Sequence, residues 1–486
     1  MFALLIALLL AQDDFDSARS ELYAALSDGD PAAIQQGLSR LVSFQNRRVP
    51  PALVEGVERA TQLLKSLEKE RIKLEKTMEE TQDRYVNGRN QGNPVEFLKA
   101  REQWVKVTGR IAALELYRPR LLRAMSSLTG DEAVAAVVAT LRHPTWYVRG
   151  YGVAALAGSK DEAARKALAE LASGENEPAV RVALADAFAG RADARTALEG
   201  WLRDPCWSVT VASARALAAG RDRRSAEALI LALKGTEGRV QHEINEALKT
   251  VTGVDKHGSF DAWMEWWTLN REEFVAGRYV PKPSERAEAP GGSTFYGVRV
   301  HSTRILFILD VSSSMLEPAA WVPEGRDAPK GKRCIDVAQY ELKRILRCLP
   351  DGAEYNVMLL HNGTTLAFEK AGRGRAHLDK AVRFIDGIKI LDGTNISGAL
   401  FRGFDLCGGA DPLVRPPSGG FDTIFLVSDG EATGGIVDTS VLVERLTEMN
   451  RFRKIAVSGV GVSATVWGEA LLKQVAAATG GDYVRR

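Results

Sequence analysis

Residues 305–314 limit the fold of this chain more than any other stretch. Ile305, Leu306, Phe307, Ile308 and Leu309 form an unbroken apolar run of strand length, and it ends at Asp310, Ser312 and Ser314. A run with no polar alternation must be covered on both faces, which is the position of a strand inside a parallel sheet. A carboxylate followed by hydroxyls at every second residue suits a metal-binding loop. In extended backbone, Ser312 and Ser314 turn to the side that Asp310 faces. Carboxylate and hydroxyl oxygens are hard donors, suited to Mg²⁺, which keeps some of its waters and takes few protein carboxylates.

Three oxygens do not complete a site, and two later segments offer more. Asp392, Gly393 and Thr394 form a loop that opens a helix. Residues 421–427 read as a second buried strand, ending at Ser428, Asp429 and Gly430. In an open parallel sheet, ligands bind outside the carboxyl ends of the strands, where Asp310 and Asp429 both fall.

The set Asp310, Ser312, Ser314, Thr394 and Asp429 resembles, in order and spacing, the metal-ion-dependent adhesion site of the von Willebrand factor A (VWA) family. The resemblance covers residues 294–486. It implies a doubly wound, Rossmann-like α/β domain in which Ser312, Ser314 and Thr394 bind the ion through hydroxyls. Asp310 and Asp429 would bind it directly or through water. The open coordination position would take an Asp or Glu side chain from a partner protein. Mg²⁺ is the expected ion, with Mn²⁺ or Ca²⁺ as alternatives. Residues 316–332 form an insertion relative to the family, beside the ion. Trp321 on that insertion, with Asp392 and Glu431 flanking the site, are the candidate partner contacts.

Before this domain the chain reads as helical. Residues 2–11 are almost wholly apolar and precede Gln12, Asp13 and Asp14. The run is too short to span a bilayer and reads as a signal peptide over 1–12, cleaved near Ala11, although no Lys or Arg precedes it. An exported protein follows, secreted or periplasmic, with no transmembrane helix in the mature chain; an uncleaved anchor is the alternative. Residues 13–128 read as a helical region holding an antiparallel coiled-coil hairpin. Leu53, Val57, Ala60, Leu64, Leu67, Leu74 and Met78 step by threes and fours, and Arg71 interrupts them. Phe97, Ala100, Trp104, Val107, Ile111 and Leu114 continue the spacing beyond a Gly- and Asn-rich break at 87–93. Such a hairpin either packs on its own chain or serves as a stalk or a surface for self-association.

Residues 129–278 contain a loose repeat of about thirty residues. Its signal appears at Pro144 to Arg149, at Pro178 to Arg181, at Pro205 to Val209 and more weakly at Gly238 to Gln241. Each time a Val is expected inward and an Arg or polar residue outward. This resembles HEAT-type helical repeats, whose units stack into an α-solenoid. Trp263, Trp266 and Trp267 then read as a cap on the solenoid. A Pro- and Gly-rich linker follows at 279–293.

Composition excludes several classes. The 486 residues carry a net charge of +2, so no global field draws the chain to nucleic acid. The cysteines Cys206, Cys334, Cys348 and Cys407 show no metal spacing. Cys348 and Cys407 fall on expected helices and read as small core residues. The sequence has no GxSxG and no GxxxxGK[ST]. A phosphatase-type loop would carry a second Asp where Ser312 stands. His361, at a strand end, reads as a loop residue. The expectation is a non-enzymatic, metal-dependent adhesion or assembly module in which the helical repeats act as scaffold or second binding surface. The alternatives are a structural scaffold whose ion only stabilises the fold and a Mg²⁺-dependent hydrolase.

Overall fold

The computed structural model describes residues 2–86, 94–282, 293–323, 328–415 and 419–486. Its contacts form two compact units, Met1–Ala187 and Phe188–Arg486.

The first unit is helical. It contains α1 (Phe2–Asp28), α2 (Pro31–Ser43), α3 (Val49–Val86), α4 (Pro94–Arg123), α5 (Asp131–Thr140), α6 (Trp146–Leu156), α7 (Glu162–Gly174) and α8 (Pro178–Ala187). Local chemistry fixes the boundaries. Asp30 caps α2 by accepting from Ala32 N–H at 3.0 Å, and Pro31 occupies the first helical position, where no N–H is needed. Helix α3, 38 residues and about 57 Å long, packs along α4. Leu53, Val57, Ala60, Leu64 and Leu67 on α3 are buried, as are Ala100, Val107, Ile111 and Leu114 on α4. The break between them lies outside the described residues.

The second unit opens with α9 (Arg195–Trp201), α10 (Trp207–Gly220), α11 (Ala226–Ala232), α12 (Gly238–Thr252) and α13 (Phe260–Val275). Helices α6, α8, α10 and α12 begin at the repeated sequence signal. Val148, Val180 and Val209 are buried there as expected. The fourth occurrence is inverted, with Arg239 buried and Val240 only half-buried. Arg239 faces the sheet that follows rather than solvent, and its guanidinium donates to the Asp422 carbonyl. Trp263, Trp266 and Trp267 are buried, and two of their indole N–H groups are satisfied. Trp263 donates to Asn245 Oδ1 and Trp266 to the Tyr279 hydroxyl, each at 2.9 Å.

The α/β part follows. Its strands are β1 (Thr294–Phe295), β2 (Val298–Arg299), β3 (Arg304–Asp310), β4 (Glu354–Leu360), β5 (Thr364–Leu366), β6 (Gly372–Arg373), β7 (Thr423–Ser428), β8 (Ala456–Gly461) and β9 (Tyr483–Arg485). Its helices are α14 (Cys334–Cys348), α15 (Leu378–Asp386), α16 (Ile396–Leu406), α17 (Thr439–Asn450) and α18 (Val466–Thr479). The main sheet runs β5-β4-β3-β7-β8-β9, with β6 beside β4. Strands β4, β3, β7, β8 and β9 are parallel, and β5 and β6 pair antiparallel to β4. This is the doubly wound α/β fold expected from the unbroken apolar strands. Strand β3 alternates as a doubly covered strand must. Ile305, Phe307 and Leu309 join the core with α14 and α15, whereas Leu306 and Ile308 join the core with α16, α17 and α18.

One further sequence expectation fails, and some short elements left no signal. The two-residue strands β1, β2 and β6 carry too little pattern to be seen in advance. Cys348 is exposed, because the buried stripe of α14 runs through Ile345, Leu346 and Leu349 and passes it by.

An ionic and aromatic joint ties the helices of the second unit to the foot of the sheet. Arg304 pairs with Asp422 at 2.8 Å, and Ser302 donates to the same carboxylate. The Arg239 and Arg304 guanidiniums lie 5.3 and 5.4 Å from the centroid of Trp207. His242 on α12 stacks on His301 with centroids 3.6 Å apart.

Candidate metal centre

The sheet brings Asp310 and Ser428 side by side. Strands β3 and β7 pair through Leu309 and Val427, so the next residue of each strand is a polar one at the carboxyl edge. Both are fully buried. Ser428 Oγ donates to Asp310 Oδ2 at 2.7 Å, and the Ser312 backbone N–H donates to Oδ1 at 2.9 Å. Burial pushes the Asp310 carboxyl above the usual range, and the neighbouring Asp429 charge adds to the rise; the hydrogen bonds from Ser312 and Ser428 oppose it.

The serine hydroxyls meet, by a route other than simple alternation. Ser312 is extended, but the backbone turns into a 3₁₀ helix at Ser313–Leu316. That turn places Ser312 Oγ and Ser314 Oγ within a shared hydrogen bond of 3.0 Å. Insertion 316–332 is pinched at its stem by a bridge between Pro318 and Arg333, with Ala319 N–H donating to the Lys332 carbonyl at 2.8 Å.

Thr394 is placed by backbone ties among three loops. Leu391 N–H donates to the Val311 carbonyl at 2.8 Å, and Asn395 N–H donates to the His361 carbonyl at 3.0 Å. Thr394 N–H donates to Thr433 Oγ1 at 2.8 Å, and its carbonyl accepts from Thr433 N–H at 2.9 Å. Thr394 is buried, and Asn395 caps α16 by accepting from Gly398 N–H. His361 therefore serves this edge through its backbone. Its ring accepts from Gly363 N–H at 3.1 Å.

Asp429 Oδ1 accepts from Glu431 N–H at 3.0 Å, a tight turn in which Gly430 has φ of 81°. Helix α18 closes on this turn. A Cβ on Gly468 would stand 2.0 Å from the Asp429 carbonyl oxygen, so only glycine allows the approach.

The candidate partner contacts lie in different settings. Asp392 and Glu431 are exposed beside the buried set. Trp321 is half-buried, 5.7 Å from the ring of Tyr296, with the Arg486 guanidinium 5.1 Å from its centroid. Sequence reasoning missed Ser428 and Thr433, which orient Asp310 and Thr394. A polar residue closing an apolar strand, next to an Asp, was the available signal for Ser428.

The donor chemistry fits a hard divalent ion. Asp310 accepts from Ser312 N–H on Oδ1 and from Ser428 Oγ on Oδ2, and a carboxylate so held keeps acceptor capacity for a coordinated water. The Asp429 charge raises the Asp310 carboxyl, and a cation held between them would relieve that repulsion. Among the described residues, no group of three or more His, Cys, Asp or Glu converges, so an ion here would depend on hydroxyls as well as carboxylates.

No family model matches the chain. Over 155 residues it is 24% identical to inter-alpha-trypsin inhibitor heavy chain H1 from Sus scrofa. The match spans 31% of this chain and only 15% of that relative. Among solved structures it is similar to the conserved hypothetical protein BatB from Bacteroides thetaiotaomicron. That similarity is 19% identity with a TM-score of 0.27, over 37% of this chain and 89% of that one. It is also similar to a structure described as von Willebrand factor type A from Catenulispora acidiphila. There the identity is 17% and the TM-score 0.28, over 37% of this chain and 38% of that one.

Proposed function

We propose that this protein is a non-enzymatic, metal-dependent protein-binding module. Ser312, Ser314 and Thr394, with Asp310 and Asp429, hold Mg²⁺ at the carboxyl edge of the sheet. The bound ion supplies Lewis acidity toward one incoming carboxylate, an Asp or Glu of a partner protein. Mn²⁺ or Ca²⁺ would serve the same donor set with less strict geometry.

One observation carries this reading. A fully buried carboxylate, Asp310, is hydrogen-bonded to Ser428 and Ser312, the Ser312 hydroxyl lies 3.0 Å from that of Ser314, and the charge of a second carboxylate, Asp429, raises the Asp310 carboxyl. Such an arrangement is costly without a cation. The helical parts act as scaffold or second surface, and the apolar run at 2–11 suits the reading of an exported protein, secreted or periplasmic. Among the described residues, no helix is long and apolar enough to cross a membrane.

The test is calorimetric titration of the full chain with Mg²⁺ after EDTA treatment, beside Asp310→Ala. Saturable binding in the parent and none in the variant supports the site. At one hundred times Kd the ion would add about 2.7 kcal/mol of stability. Equal titrations of both proteins would remove the ion from this edge and with it the proposed chemistry.

A further inference from the structure

The carboxyl edge of the sheet carries exposed apolar side chains as well as the candidate ion site. Leu316 follows β3, Leu391 precedes Thr394, Val437 follows β7, and Val466 and Trp467 follow β8. They come from four separate loops on one edge. Trp467 is 84% exposed and Val466 78% exposed. The other exposed large apolar residue in the described sheet and its loops is Val414, on the segment that enters β7 at the opposite edge. Val466 and Trp467 are adjacent and each more than three-quarters exposed, an apolar pair beside the candidate ion site of the kind a partner covers.

Trp467 is held beside the ion site by backbone contact. It directly precedes Gly468, whose Cα position abuts the Asp429 carbonyl. Thr465 fixes the start of α18 by accepting from Gly468 N–H, so the Trp467 backbone stands on a capped helix rather than a loose loop. Presenting an indole on a rigid element makes its burial by a partner cheap in entropy. Asp392 and Glu431, exposed on the same rim, add negative charge around the apolar groups.

We infer that the partner presents a single Asp or Glu flanked by aromatic or branched aliphatic residues in a segment otherwise neutral or basic. Trp467 and Val466 take the apolar neighbours. This rests on the ion reading above and goes beyond it by assigning the specificity of the same surface. An isolated carboxylate reaches the ion, Trp467 buries what lies beside it, and Asp392 and Glu431 repel polyacidic segments.

The experiment pans a displayed random peptide library, with a fixed central Asp or Glu, on the full chain in Mg²⁺ and in EDTA. Parent, Trp467→Ser and Asp310→Ala proteins are compared. Trp467 lies on the surface, so its variant keeps the core. Metal-dependent enrichment of apolar residues next to the carboxylate, lost in Trp467→Ser with about tenfold weaker binding of the selected peptides, supports the inference. Metal-dependent enrichment of acidic peptides with no apolar preference, unchanged in Trp467→Ser, overturns this inference and leaves the ion reading standing. No metal-dependent enrichment, or equal enrichment on Asp310→Ala, overturns both. Two controls test other occupants. Sedimentation with phosphatidylserine vesicles that is lost in Trp467→Ser assigns the rim to a membrane. Dimerisation of the protein alone, lost in the same variant, assigns it to a second copy. Either result overturns the peptide assignment.

Discussion

Ser428 donates to Asp310 Oδ2 at 2.7 Å while accepting from Gly430 N–H at 2.9 Å, so one buried hydroxyl couples the ends of two neighbouring strands. It orients the Asp310 carboxylate and holds the turn that carries Asp429. Ser428→Ala leaves a buried carboxylate oxygen and a backbone N–H each short of a partner. The expected cost is about 1–3 kcal/mol, read by urea denaturation, with weakened Mg²⁺ binding by calorimetry. Unchanged values for both would mean that the hydroxyl only fills space.

Gly468→Ala tests the contact between α18 and the Asp429 turn. The added Cβ meets the Asp429 carbonyl oxygen at 2.0 Å, and a backbone atom cannot swing aside as a side chain can. The helix must shift, with an expected loss of about 1–3 kcal/mol as in other overpacked sites. Gly109→Ala is the control, since nothing lies within 4 Å of that position and it stands in the interior of α4, where alanine is favoured. Equal effects of the two changes on the unfolding midpoint would discredit the close-approach argument.

Asp422→Ala removes the centre of the joint at the foot of β7. Asp422 accepts from Ser302 and Arg304, and its backbone carbonyl accepts from Arg239. Deleting one partner of a buried ion pair costs about 3–5 kcal/mol. Arg304 keeps about a quarter of its side chain exposed, which pulls the expectation to the lower end. Hydrogen exchange should rise first in β7 and α12. Loss of protection confined to one of them would show that the joint does not act as a unit.

The stacked histidines give a pH dependence with a defined sign. Burial lowers the pKa of both rings, and His301 is pushed down to about 4, with the His242 and Arg299 charges adding to the effect. Glu246 and Asp482 oppose the shift at His301, while Glu243 opposes and Lys249, Arg239 and Arg215 assist it at His242. The unfolded chain binds protons near 6.5 and the folded joint does not, so stability is intact above about pH 6.5 and falls toward pH 4. His301 retains solvent contact, so the loss is modest. Glu243, held low by Arg215 and Arg239 against its own desolvation, adds a loss only at more acid pH. Urea midpoints of the parent and His301→Gln between pH 7 and 5 should diverge, the variant staying flatter. Parallel curves would contradict the assignment.

Much of the α/β part was legible because burial on both faces demands unbroken apolar strands. The run from Ile305 to Leu309 therefore named the central strand, and the residue types at its end named the candidate donors. The loop at Asp392 to Thr394 was legible as the opening of a helix, which Asn395 caps with its side-chain oxygen. Strands of two residues left no such pattern. The 3₁₀ turn at Ser313 was hidden because alternation and a tight turn can both bring two hydroxyls together.

The sequence by itself determined the longer strands and helices, and which polar residues stand at their ends. Periodicity records whether a side chain meets water or core. Tertiary structure decided the partners. The β3–β7 register made Ser428 the hydrogen-bond donor to Asp310, and the docked sheet turned Arg239 inward where its repeat predicted an outward Arg. The crossovers gathered Leu316, Leu391, Val437 and Trp467 onto one edge. Each of these depends on residues far apart in the chain, and only packing sets the distance between them.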